Sequence, residues 1–233
     1  MKCTALIPAA GQGKRMDAAR SKPYLLLDGK PILLHTLQAL EECPLVDEVI
    51  LLVEQGEIEH ARSSVVRAGG LAKVSRVLAG GVKRQDSVWE GLTTIADDCD
   101  LVMVHDGVRP FVTQEILARA VQGAIDCGAS IVGVPAKDTV KLVSAHKQVL
   151  KTPDRAGVFL VQTPQTFKRA IVLEAYRQAM RNGFYATDDA ALVERLGLPV
   201  KVVEGSYDNI KITTPEDLAI GEMILKRRMR VML

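Results

Sequence analysis

Seven short runs rich in Val, Ile and Leu, each followed by a longer amphipathic or polar stretch, constrain this chain more than any other feature. They lie at Thr4 to Pro8, Glu48 to Val53, Val74 to Leu78, Leu101 to Val104, Ser130 to Val134, Val158 to Gln162 and Pro199 to Val203. Most read as continuous apolar runs rather than polar/apolar alternation. That is the pattern of strands covered on both faces. Helical periodicity fills the intervals. Ile32, Leu33, Thr36, Leu37 and Leu40 form one stripe, and Ile116, Leu117, Ala120, Val121, Ala124 and Ile125 another. Strand and helix in turn predict an α/β fold with a doubly wound, mostly parallel sheet. The chain has 233 residues, enough for a substantial core, and is expected to form one domain over 1–233. Its last helix has a marked start: Thr214 as N-cap, Pro215 at the first helical position and Asp217 completing a Thr-x-x-Asp pattern.

One segment breaks the rhythm. Residues 138–155 hold two β-like runs, Thr139 to Val143 and Gln148 to Thr152, with no helix between them. The reading is a protruding β-hairpin arm. A lone hairpin is marginal in water, so this one is expected to pack on a second subunit. The net charge of +2 and the 4% aromatic content disfavour a nucleic-acid partner. No apolar run approaches the roughly 20 residues that span a bilayer, so no membrane partner is expected. Cys3, Cys43, Cys99 and Cys127 lack metal-type spacing and read as reduced thiols of a cytoplasmic protein.

The first run ends in ALIPAAGQGKRM, residues 5–16. Ala9, Ala10, Gly11 and Gly13 let a ligand approach the backbone, whose free N–H groups can form an anion nest. Lys14 and Arg15 add full charges. A tight turn with a solvated basic pair would carry the same letters. Met16 stands where a dinucleotide fingerprint needs its third glycine, and the Walker spacing is absent. Lys22 follows shortly, between Pro23 and the turn, where it can fold over a bound phosphate. A second glycine pair, Gly80-Gly81, precedes Arg84, Gln85 and Ser87, which open a helix with the stripe Val88, Leu92 and Ile95. Asp106 sits just past LVMV, as a Mg²⁺-ligand candidate at a strand end, with Arg109 close behind. Asp208 and Lys211 precede the last helix. Salt bridges would explain each singly; together they put one charge on each of several strand ends.

PAAGQGKRM, SKPYLLLDGKPIL, AGGVKRQDSV, VHDGVRPFV, PAKDTVKLV, QTPQTF, TDDAALVERLG and DNIKITTPEDL occur here in order. With these eight segments the chain resembles the 2-C-methyl-D-erythritol 4-phosphate cytidylyltransferases from Ala5 to about Ile220. The resemblance implies a nucleotidyltransferase α/β fold whose β-arm clasps a second subunit. It implies that Ala9 to Gly13, with Arg15 and Lys22, hold the CTP phosphates, that Gly81, Arg84 and Ser87 lie by the cytidine, and that Asp106 lies by Mg²⁺ and the ribose. It ties Arg109, Thr139, Arg155 and Thr163 to methylerythritol phosphate, with Thr139 and Arg155 reaching the partner's site in a homodimer. Asp208 would bind a substrate hydroxyl. Arg15, Lys22 and Lys211 would carry catalysis. The chain departs from the pattern at Pro23, at Gly107-Val108 and at Asp189 of Thr187-Asp188-Asp189. Rival readings are a ribitol 5-phosphate cytidylyltransferase of the same fold and a nucleotide-binding module without activity. His35, His60, His105 and His146 share no spacing and read as structural or surface residues, and Trp89 as core or interface.

Overall fold

The computed structural model describes residues 1–11 and 21–231, so Gly13, Lys14, Arg15 and Met16 of the glycine-rich turn lie outside the described residues. Seven strands form the main sheet: β1 (Cys3–Pro8), β2 (Glu48–Val53), β3 (Val74–Ala79), β4 (Leu101–Val104), β5 (Ala129–Pro135), β6 (Phe159–Lys168) and β7 (Lys201–Glu204). Their order is β7-β5-β6-β4-β1-β2-β3. All neighbours run parallel except β6, which is antiparallel to both β4 and β5.

The strands bury both faces because successive side chains point to opposite sides. Ala5, Ile7, Val49, Leu51 and Met103 feed one apolar layer. Leu6, Ile50, Leu52, Val102 and Val104 feed the other. Helices α1 (Ile32–Glu41) and α4 (Gln114–Cys127) cover the first layer through Leu33, Leu37, Ile116 and Leu117. Helices α3 (Arg84–Leu92), α5 (Arg169–Arg181) and α6 (Ala190–Glu194) cover the second through Val88, Val172, Tyr176 and Leu192. Truncating a fully buried side chain such as Leu6 or Leu51 would cost about 2–5 kcal/mol. The chain leaves α4 through Gly128, whose φ of 91° is the left-handed conformation that ends helices. The short helix α2 (Ile58–Ala61) follows β2, and α7 (Pro215–Val231) packs on Leu27, Ile32, Phe111 and Ile212 through Ile224. Asp217 accepts from the N–H groups of Thr213 and Thr214 at 2.7 and 2.9 Å, which bears out its place in the start signal.

Three expectations need correction. The run expected to end at Gln162 continues to Lys168, past a bulge between Gln162 and Gln165 and a cis Thr163-Pro164 bond. Its second half is polar in sequence, yet Gln165 and Thr166 are buried. The helix expected to include Ile95 ends at Leu92, although Ile95 is buried beyond it. The arm's strands shrink to Leu142–Val143 and Val149–Lys151, which leaves Thr139 outside them.

Candidate active site

Backbone hydrogen bonds draw the strand ends together. Ala9 N–H donates to Leu52 C=O at 2.7 Å, Gly80 N–H to Val53 C=O at 2.7 Å, and Gly107 N–H to Pro8 C=O at 3.2 Å. The turns after β1, β3 and β4 are thereby brought to one edge, the carboxyl edge where ligands bind in such sheets. Gly80 is needed there: a Cβ on it would lie 2.6 Å from Ala10 Cβ and 2.7 Å from Ser87 Oγ.

The edge encloses an open cleft of about 150 Å³. Ala9, Ala10, Gly11, Lys22, Gly81, Arg84, Ser87, Asp106 and Lys211, all singled out in the sequence, line it. Pro8, Pro23, Val82, Lys83 and Val108 complete the lining. Lys22, Lys83, Arg84 and Lys211 are its cations, and Asp106 is its one acid among the described residues. Four positive groups against one negative leave the cleft suited to a polyanion.

Asp106 is the hub. Arg84 Nε lies 2.9 Å from its Oδ1, and Lys211 Nζ lies 2.7 Å from its Oδ2. Arg109 Nε stands 3.7 Å from Oδ2. Burial alone would raise the Asp106 pKa, but Arg84, Lys211 and Arg109 together hold it well below the usual carboxylate range. Arg84 is shared: its two terminal nitrogens bind Asp189 at 3.0 and 2.8 Å. Tyr176 donates its phenol hydrogen to Asp189 Oδ1, the oxygen that Arg84 Nη1 also binds. Gln165 accepts from the N–H groups of Asp189 and Ala190 at 3.1 and 3.0 Å. Burial works to lower the Arg84 pKa, yet Asp189 and Asp106 raise it further, so the guanidinium stays charged.

His105 holds the turn from beneath. It is fully buried, and burial lowers its pKa to about 4, so the ring is neutral near neutral pH. Its Nε2 faces the Arg109 carbonyl at 3.1 Å and must carry the ring proton. Its Nδ1 therefore accepts from the Thr163 hydroxyl at 3.0 Å, and Thr163 Oγ1 in turn accepts from Asp106 N–H at 3.1 Å. Thr36 adds a hydrogen bond to the Gly107 carbonyl at 3.0 Å.

Several expected substrate residues do not line the cleft. Thr163 is buried in the clamp just described. Arg109 lies under the turn, where its Nη1 donates to Asn209 C=O at 2.8 Å and burial lowers its pKa. Asp208 is ion-paired with Arg227. Thr139 is exposed near the root of the arm. Arg155 also lies there, donating to Lys137 C=O at 2.7 Å beside a groove formed with Pro135, Ala136 and Asp154. Sequence reasoning missed Asp189 as the second partner of Arg84 and set His105 aside; the TDD letters were the available signal for the former. The other histidines are structural or surface groups: His35 Nε2 meets Leu27 C=O, His60 packs edge-on against Tyr24, and His146 sits in the hairpin turn. Trp89 stacks on Tyr176 against the second apolar layer. Among the described residues no group of three His, Cys, Asp or Glu is placed to hold a metal.

Comparison with known proteins meets this geometry. The sequence pattern of the 2-C-methyl-D-erythritol 4-phosphate cytidylyltransferases matches residues 3–227. Such an enzyme from Geotalea uraniireducens is 51% identical over 228 residues, covering 97% of each chain. One from Syntrophus aciditrophicus is 47% identical over 226 residues, again covering 97% of each. The crystal structure of 4-diphosphocytidyl-2C-methyl-D-erythritol synthase from Anaerococcus prevotii superposes with a TM-score of 0.87 at 32% identity, over 97% of this chain and 96% of that one. The Thermus thermophilus 2-C-methyl-D-erythritol 4-phosphate cytidylyltransferase superposes with a TM-score of 0.79 at 35% identity, over 97% of this chain and all of that one.

Proposed function

Since the chain belongs to the 2-C-methyl-D-erythritol 4-phosphate cytidylyltransferase family, we propose that its cleft transfers the cytidylyl group of CTP to that polyol phosphate. The products are pyrophosphate and 4-diphosphocytidyl-2-C-methyl-D-erythritol. The observation that carries this reading is the cleft itself: four cations and one acid line it at joined strand ends, beside the small residues Ala9, Ala10, Gly11 and Gly81.

A 4-phosphate oxygen of the acceptor attacks the α-phosphorus of CTP, one P–O bond forms, and the bond to pyrophosphate breaks. The attacking oxygen is already anionic near neutral pH, so no side chain has to remove a proton. The obstacle is bringing two polyanions into line, and catalysis is then positioning and charge stabilisation. Lys22 and Lys211 face the cleft, ready to meet charge on the α-phosphate and leaving group. Arg15 is assigned the same task by family resemblance. Gly81, Arg84 and Ser87 form the side of the cleft assigned to the cytidine. Arg84 is braced for it by Asp189, and Ser87 Oγ accepts from Gly81 N–H at 3.0 Å.

We also propose that Asp106 would hold Mg²⁺ when the triphosphate is bound. Mg²⁺ is commonly held by one or two carboxylates plus substrate phosphates. Asp106 would be the single carboxylate; with Arg84 and Lys211 already on its oxygens, the other ligands would be nucleotide phosphates and water. Bound there, the ion would offset phosphate charge.

Family resemblance assigns the acceptor's far end to Arg109, Thr163 and Asp208, which here are held outside the cleft by Asn209, His105 and Arg227, and, across a homodimer, to Thr139 and Arg155 of the partner's arm. Exposed Leu142, Val143, Val149 and Leu150 on the arm, with Phe159, Leu160 and Val161 on β6, support an interface there. All four cysteines are free thiols, which suits work in the cytoplasm. No helix among the described residues is long and apolar enough to cross a membrane.

The test is pyrophosphate release with CTP and Mg²⁺, comparing methylerythritol 4-phosphate with ribitol 5-phosphate. Release only with the former is expected. Release only with the latter would keep the CTP cleft and move the acceptor.

A further inference from the structure

The turn that carries Lys22 rests on three polar atoms that the cleft does not use. Ser21 Oγ, Tyr24 Oη and Glu57 Oε2 are each shut off from solvent without a hydrogen bond of regular geometry. Buried polar groups are nearly always paired, so three together call for an explanation. Ser21 and Tyr24 bracket a tight turn in which Tyr24 N–H donates to Ser21 C=O at 3.0 Å and Leu25 N–H to Lys22 C=O at 3.2 Å. Lys22 and Pro23, between them, face the cleft. Tyr24 turns the other way: it is 4% exposed, packs in the first apolar layer, and meets His60 edge-on with ring centres 4.8 Å apart.

Glu57 comes from the link between β2 and α2, held by its N–H on Glu54 C=O at 2.9 Å. Burial raises its pKa and Glu54 adds to the rise, while His60 and the hydroxyls of Ser21 and Tyr24 pull it back. The Tyr24 phenol is raised by burial and then by Glu57. Geometry puts the three groups in one neighbourhood: Tyr24 meets His60, three residues beyond Glu57, and Ser21 lies on the same turn as Tyr24. Their chemistry is complementary: two hydroxyl donors flank Lys22, and one carboxylate has oxygens for both. Hydrogen bonds that are loose in a free enzyme often tighten only when substrate is bound.

We propose that Glu57 is a positioning residue for Lys22: its carboxylate takes the hydroxyls of Ser21 and Tyr24, on either side of the lysine, when the turn closes on an anion in the cleft. The inference rests on the reading of Lys22 as a phosphate-binding cation. Its reach is limited to the backbone under that lysine; Glu57 touches no reacting atom.

A kinetic double-mutant cycle tests it. CTP-dependent pyrophosphate release is measured for Glu57→Ala, Glu57→Gln and Tyr24→Phe, each alone and with Lys22→Ala, beside their thermal midpoints. A misplaced catalytic group can cost up to about a hundredfold, so Glu57→Ala is expected to lower kcat/KM by roughly 10- to 100-fold. Glu57→Gln, which still accepts one hydroxyl and donates to the other, is expected to restore most of it. With Lys22→Ala present, Glu57→Ala is expected to add at most about twofold, since coupled sites are non-additive. Wild-type turnover in Glu57→Ala, or its full loss multiplied onto that of Lys22→Ala, would overturn the proposal. Should Glu57→Ala not fold, Tyr24→Phe carries the same cycle, because it loses one hydroxyl and keeps the ring against His60. Near-normal turnover in Lys22→Ala would instead overturn the reading of the lysine. A crippled Lys22→Ala beside an undisturbed Glu57→Ala overturns this inference alone.

Discussion

The Asp106 cleft and the 138–155 arm stand at opposite extremes of self-sufficiency. At the cleft, Asp106 meets Arg84, Arg109 and Lys211, and Arg84 meets Asp189, all within one chain. The arm's two strands hold two and three residues, and Leu142, Val149 and Leu150 on them are 52%, 60% and 70% exposed. The first region is stabilised from inside by charge pairs that the surrounding layers desolvate. The second leaves apolar surface in water, and a two-stranded hairpin gains too little to offset that. The cleft's charge pairs form within one chain; in the proposed homodimer a second subunit would cover the arm.

The sharpest way to break this contrast lies at the cleft. Lys211→Ala removes a cation already fixed 2.7 Å from Asp106. Loss of a preorganised group of this kind costs about 10²–10³ in turnover. The expected result is that loss in pyrophosphate release together with a lowered thermal midpoint, because the buried Asp106 loses one of its cations; near-normal turnover would remove Lys211 from the catalytic set. Deleting residues 141–150 comes next. Monomers with little activity are expected by light scattering and turnover. Active monomers would make the cleft sufficient alone and end the case for a shared site.

The smallest effect concerns pH and separates the regions most cleanly. Burial holds His105 near pKa 4, while an unfolded histidine titrates near 6.5. Between those values the unfolded chain binds more protons. The stability that His105 contributes is therefore complete above about pH 6.5 and is lost as pH falls toward 4, by up to about 3 kcal/mol. Denaturation from pH 7 to 4 should show a shallower decline in His105→Gln than in the parent chain. The arm-deleted chain should keep the parent's decline, since the arm does not touch His105; equal slopes in parent and His105→Gln would remove the histidine as the cause.

Much of the fold was legible because burial on both faces of a parallel sheet leaves uninterrupted Val, Ile and Leu in the chain. β1, β2 and β4 came out as those runs suggested, within a residue. β6 was half hidden, because Gln165 and Thr166 look like loop residues until the backbone pairs them with Ile131 and Ser130. At the cleft, the small residues after β1 and the cations Lys22, Arg84 and Lys211 were legible as residue types that a phosphate needs.

What those residues do to one another was settled by the folding of distant segments onto one edge. Arg84 joins Asp106 to Asp189, which lies 105 positions away along the chain. His105, unpromising as a letter, is neutral because the packed sheet buries it, and it clamps the turn because Thr163 arrives opposite it, 58 positions later, on an antiparallel strand. Local runs of residues carry burial and periodicity, which depend on near neighbours. Charge pairing and tautomer depend on which groups share a low-dielectric pocket, and only the packed sheet brings those groups together.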